Sequence, residues 1–175
     1  MLREEVLKSL ERFKKHVVSQ ARANLTRGGK NVSKELYNSI EGDVFVSKTT
    51  SSIGMYFEME DYGSYQDQGV KGKTSSSKAP NSPYKFGSGT GKKGGLTEGI
   101  EKWVKARRFQ FRDDKGKFIS YKSTSYLITR SIWHKGMKPS YFFTKPFEKA
   151  FKNLPDEIVE RYGLDLETLI KNELK

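Results

Sequence analysis

The stretch VFVSKTTSSIGMYFE, residues 44–58, is where the chain changes its hydrophobic period. Val44 and Val46 alternate with Phe45 and Ser47, and Ile53, Met55 and Phe57 alternate with Gly54, Tyr56 and Glu58. A period of two marks half-buried strands, and the polar run 49–52 between them supplies a turn, so the stretch predicts a β-hairpin. Everything before it is helical in pattern. Leu2, Val6, Leu10, Phe13, Val17, Ala21 and Leu25 recur at steps of three and four, which predicts a long N-terminal amphipathic helix of about six turns, ended by Gly28 and Gly29. Ser33 is a candidate cap for a short second helix carrying Leu36, Tyr37 and Ile40 and stopped by Gly42.

Beyond the hairpin, residues 61–70 read as one helical turn ending at Gly69. Residues 70–95 then lose all periodicity: 26 residues hold six Lys, six Gly, five Ser and no acid. A long loop of this kind inside a compact domain is usually functional or disordered. Order returns with a helix carrying Ile100, Trp103 and Val104. FQFRDDKGKFISY, residues 109–121, predicts a second hairpin around the turn chemistry of Asp113, Asp114, Lys115 and Gly116. Ser123 or Thr124 is expected to cap the next helix, which closes near Gly136. Pro146 suits the first turn of another, with Phe147, Ala150, Phe151 and Leu154 on its apolar face. That pattern can continue to Gly163, and Asp165 can cap a last helix with Leu166, Leu169, Ile170 and Leu174.

Four antiparallel strands in two hairpins, packed against helices on one face, make an α+β domain. It is expected to span residues 1–154, with the basic loop 70–95 inserted and a helical extension at 155–175. The chain's 175 residues suit one compact domain.

Charge is concentrated. The net charge is +12, yet residues 68–147 alone hold 18 Lys or Arg against four acids, a net +14. Such a field attracts polyanions or acidic protein surfaces. There is no cysteine, which excludes disulfides and thiolate metal sites. No apolar run approaches a membrane span, and the first residues begin a charged helical pattern rather than a secretory signal.

Motifs for catalysis are weak. Gly89, Gly91 and Gly94 have the spacing G-x-G-x-x-G, but the preceding SSSKAPNSPYKF, residues 75–86, is no buried strand, and the P-loop pattern fails because Lys93 stands where Ser or Thr is needed. His16 and His134, the two histidines, are expected on a charged helix face and near a helix end. Glu58, Glu60 and Asp61 form a small acidic knot, which turn chemistry or partner docking explains more simply than a metal ion. A metal-dependent enzyme built on these acids is a remote third reading. No catalytic set, cofactor or metal is expected. Trp103, Phe109, Phe111 and Tyr121 are interleaved with cations, as nucleic-acid stacking would need. The period of two at Phe109 and Phe111 instead assigns the aromatics to packing.

Several of these features together resemble the neck or tail-completion proteins that join head to tail in phages with double-stranded DNA. They are the first helix, the Tyr62, Tyr65, Asp67, Gly69 and Val70 stretch, the loop with Pro83, Tyr84 and Lys85, the Trp103 helix, RDDKGKF, and the closing ITRSIWHKGMKPSYFFTKPFEKAF. The most specific parts are DQGVKG, residues 67–72, and residues 136–151. The long Lys/Gly/Ser loop and the tail after Leu154 depart from the family's short members.

The resemblance implies a non-enzymatic α+β subunit that assembles with copies of itself into a six- or twelve-fold ring. Such a ring contacts other neck, portal and tail proteins, and genomic double-stranded DNA passes through its lumen. That places it in the virion neck, assembled in the host cytoplasm, with no membrane partner. On that view Lys71, Lys73, Lys78, Tyr84, Lys85, Lys92 and Lys93 are candidate contacts to neighbouring subunits. Lys102, Lys105, Arg107, Arg108, Arg112, Lys115 and Lys117 are candidates for facing DNA or an acidic surface. Asp156, Glu157 and Glu160 form a candidate acidic docking surface for the basic loop of the next subunit. The alternative is a stand-alone, nonspecific nucleic-acid-binding protein.

Overall fold

The computed structural model describes residues 2–29, 33–46, 53–89 and 95–154. Its elements run α1 (Leu2–Arg27), α2 (Glu35–Ser39), β1 (Glu41–Val46), β2 (Ile53–Glu58), α3 (Tyr62–Gln68), α4 (Gly95–Arg107), α5 (Tyr121–Lys135) and α6 (Thr144–Phe151). The protein is therefore mixed helix and strand, with a long first helix and a two-stranded antiparallel sheet. The chain divides into two compact units, Met1–Asp67 with Tyr141–Lys175, and Gln68–Ser140.

In the first unit the expected apolar stripe of α1 is buried from Val6 through Leu25. Gly29 ends the helix at φ 65°, a left-handed conformation that costs glycine little. β1 and β2 pair in the register Val44 with Met55 and Val46 with Ile53. The alternation holds: Phe57 is buried, while Phe45 and Tyr56 share the exposed face with ring centroids 6.1 Å apart. Phe45 lies over Gly54, where a Cβ would come within 2.4 Å of its ring. The core is aromatic. Phe13 meets Phe147 edge to face at 5.4 Å, and Phe57 meets Phe143 at 5.3 Å. The segment YFFTKPF thus fills the space between α1 and the hairpin, and truncating one such ring typically costs about 3–5 kcal/mol.

Two caps differ from expectation. α2 is preceded by Lys34 at φ 58° with no side-chain cap, and Ser33 Oγ only reaches the Glu35 N–H at 3.5 Å. Ser120, not Ser123 or Thr124, caps α5: its Oγ accepts from the Ser123 N–H at 3.0 Å. Thr124 is instead fully buried inside the helix.

The second predicted hairpin is corrected by the structure. The turn forms as expected, with Gly116 at φ 77° and Asp113 Oδ1 accepting from the Lys115 and Lys117 N–H groups. The arms make one bridge, Arg112 with Phe118, and no strands. Side chains take the ladder's partners. Thr124 Oγ1 accepts from the Phe111 N–H at 3.2 Å, and Gln110 Nε2 donates to the Ile119 carbonyl at 2.7 Å. Among the described residues the sheet therefore has two strands rather than four. The 47–52 turn and the predicted helices beyond residue 154 lie outside the described residues.

Candidate interaction surface

The basic loop is tied down through its backbone as far as Phe86. Lys71 donates its N–H to the Tyr84 carbonyl at 2.8 Å and accepts from Phe86 at 2.9 Å. Val70 and Met137 exchange N–H···O bonds of 2.9 and 2.7 Å, and Lys73 donates to the Trp133 carbonyl. Ser82 is buried, and its Oγ donates to the Gly69 carbonyl at 2.7 Å. The segment runs so close to the α5 terminus that a Cβ on Gly72 would stand 2.1 Å from the His134 oxygen. Residues 70–86 are thus a hydrogen-bonded segment rather than a free limb.

This arrangement turns the candidate side chains outward. Lys73, Lys78 and Lys85 are exposed, and Lys71 and Tyr84 are half-buried. Lys92 and Lys93 lie outside the described residues, as do Asp156, Glu157 and Glu160.

The second group of cations sits on α4 and the turn. Lys102, Arg107, Arg108, Lys115 and Lys117 are exposed. Lys105 pairs with Glu101 one helical turn earlier at 2.7 Å, and that hydrogen bond holds the exposed Glu101 carboxyl below its ordinary pKa. Arg112 serves the turn: its Nη1 donates to the Gly116 carbonyl at 2.7 Å, and its guanidinium lies 3.9 Å from the Phe118 ring centre. Arg112 is thus engaged within the turn itself.

The expectation that Trp103, Phe109 and Phe111 would face a core is overturned, while Tyr121 is half-buried. Trp103, Phe109 and Phe111 are each nearly 40% exposed, and Phe118 is 55% exposed. The first three pack in a row, Trp103 tilted against Phe109 at 6.0 Å and Phe109 edge to face with Phe111 at 5.3 Å. The Phe111 bond to Thr124 joins this row to α5, which exposes Tyr126 and Leu127. The physical reason is the failed ladder. With only one bridge, the arms lack the regular alternation that would send every second side chain inward. A signal was present in the sequence: no apolar partner surrounds Phe109 and Phe111, and Arg107, Arg108 and Arg112 flank them on both sides.

Comparison with family models, curated proteins and solved structures found no match.

Gly89 has φ 85° and follows the isolated bridge at Lys85, not a strand; Gly91 and Gly94 lie outside the described residues. Glu58, Glu60 and Asp61 are exposed. Among the described residues no group of three His, Cys, Asp or Glu side chains is placed to hold a metal ion. The acidic knot acts locally instead: burial first, then the charges of Glu35 and Glu60, raise the Tyr62 phenol above its ordinary pKa. His16 is exposed, and His134 contributes its carbonyl to Thr74. An open cavity of about 790 Å³ lies along α1, lined by Lys14, Arg22, Arg27 and Tyr37 among others. Arg22 donates to the Ile40 carbonyl there and lies over Tyr37. No described helix is long and apolar enough to cross a membrane.

Proposed function

We propose that this chain is a structural, non-catalytic subunit of the head–tail junction of a tailed phage. Copies of it form a closed ring between portal or connector and tail, and double-stranded DNA passes through the lumen. One observation carries the reading. The two segments most specific to the neck and tail-completion resemblance, 67–72 and 136–151, are also the segments that the fold hydrogen-bonds to each other within each unit. Asp67 receives the N–H groups of Phe143 and Thr144, and Val70 bridges Met137. Sequence separated by some seventy residues is spent on one framework, as expected of a motif that defines a fold rather than a reaction.

The surface suits the role. Residues 68–140 hold 17 Lys or Arg against four acids, a net +13, spread over exposed helix and loop. Diffuse positive charge attracts DNA weakly and without sequence readout, and a genome conduit needs contacts weak enough not to arrest ejection. In solution, native mass spectrometry of the full chain should give one discrete closed assembly of six or twelve copies. A strictly monomeric protein at every concentration counts against the reading.

A second reading has its own observation. Exposed Trp103, Phe109 and Phe111 beside Arg107 and Arg108 also fit a stand-alone protein that stacks on single-stranded nucleic acid. It expects a monomer whose DNA affinity falls steeply with salt and is lost when Arg107 and Arg108 become Ala.

A further inference from the structure

We propose that residues 155–175 of one copy dock on the aromatic, basic surface that α4 and the 109–118 turn build on another copy. This rests on the ring reading and names the contact between neighbours. It moves the acidic tail's partner from the Lys/Gly/Ser loop to the aromatic row.

The acceptor is short of apolar partners. Both clusters of buried apolar side chains lie in the first unit. In residues 68–140 the buried apolar side chains among those described are Val70, Ala79 and Val104. Where α4 and α5 meet, buried Thr124 and Ser125 stand where a core would carry leucines. Large apolar groups of α4 and the turn face water instead: Trp103, Phe109, Phe111 and Phe118. Exposed apolar surface of this kind, rimmed by charge, marks an interaction site. The rim is positive, with Arg107, Arg108, Lys115, Lys117 and Lys122 all exposed. The partner must therefore be both apolar and acidic.

The chain carries such a segment. Residues 155–175 hold six acids against three basic residues. Tyr162, Leu166, Leu169, Ile170 and Leu174 recur at helical spacing in it. Its 21 residues span about 30 Å as a helix and about 70 Å extended, enough to leave the unit in which Leu154 is buried. Nucleic acid fits the acceptor less well. Trp103, Phe109 and Phe111 pack against one another with centroids 5–6 Å apart, and Arg112 already covers one face of Phe118. Few ring faces remain open for a base. Donation between copies, rather than within one, gives every subunit one donor and one acceptor, which is what a head-to-tail ring requires.

The absence of cysteine makes a direct test available. Lys117→Cys in the full chain gives a single thiol on the exposed rim of that surface, to be labelled with a benzophenone maleimide. Light and nitrogen-15 chains are mixed, assembled and irradiated, and the linked peptides are sequenced by mass spectrometry. The expected product is a peptide from 155–175, including links between light and heavy chains. Adding Leu169→Asp and Ile170→Asp should lower that link by about tenfold or more, because two buried side chains are lost from the contact. Links confined to one isotope, links to a different surface, no link, or preferential labelling of an added single-stranded DNA oligonucleotide each overturn the proposal. Closed rings without the link leave the ring reading standing and remove this inference. The link in open chains or dimers does the reverse.

Discussion

Asp67 holds Thr144 at two points: its carboxyl group accepts from the Thr144 backbone N–H at 3.2 Å and from the Thr144 hydroxyl. The same carboxyl accepts from the Phe143 N–H at 2.8 Å, and the Asp67 carbonyl accepts from Tyr141. A residue at the end of α3 thus caps α6, which begins 77 residues later in the chain. The arrangement closes the base of the 68–140 insertion and seats Phe143 and Phe147 in the core.

Removing this cap should be costly because Asp67 is fully buried. Asp67→Ala leaves the Phe143 N–H without a partner, and urea denaturation should show a loss of about 2–4 kcal/mol. Asp67→Asn keeps an acceptor oxygen and should recover more than half of that. Equal losses for the two variants would contradict this cap, because Asn retains both the side-chain volume and an acceptor oxygen for the Phe143 and Thr144 N–H groups.

Glycine substitutions separate close approach from simple helix propensity. A Cβ at position 72 meets backbone atoms of His134 and Gly136, so Gly72→Ala should break the pairing of residues 70–74 with 133–137. Hydrogen exchange at Val70, Lys73 and Met137 should rise sharply. Gly99 lies in α4 with nothing near its Cβ position, so Gly99→Ala should stabilise the protein by about 0.5–1 kcal/mol. Reversed signs would contradict the backbone register described.

Alkaline titration tests the acidic knot. The folded state raises the Tyr62 pKa, so it favours the neutral phenol. That contribution is fully present below the unfolded value of about 10 and is lost as pH rises through the folded value. Tyr62→Phe should therefore lose less stability than the parent on going above about pH 10, and one tyrosine that ionises above the ordinary value should vanish from the absorbance titration. An unchanged titration curve would contradict the assignment.

What was legible in the sequence follows the range of the interaction. α1 and the first hairpin announce themselves because one face of each is buried, so Val6 to Leu25 and Val44 to Phe57 keep a clean period. The turn at 113–116 was legible from its own four residues. The Asp67 cap was not, because its partners lie 76 and 77 residues away. Residues 70–86 looked structureless for the same reason: their bonds run from backbone to distant backbone and leave no mark on side-chain pattern. The second hairpin misled because a single hydroxyl, Thr124, competes for the Phe111 N–H and ends the ladder. The exposed aromatic row then came out on the wrong side of the inside–outside assignment.

The central claim is that copies of this chain close on themselves around a channel. Electron-microscope class averages of the assembled full-length protein, viewed down the symmetry axis, test it most directly. The account predicts closed rings of a single copy number with an open centre. Isolated monomers, or open chains with no central channel, would contradict it.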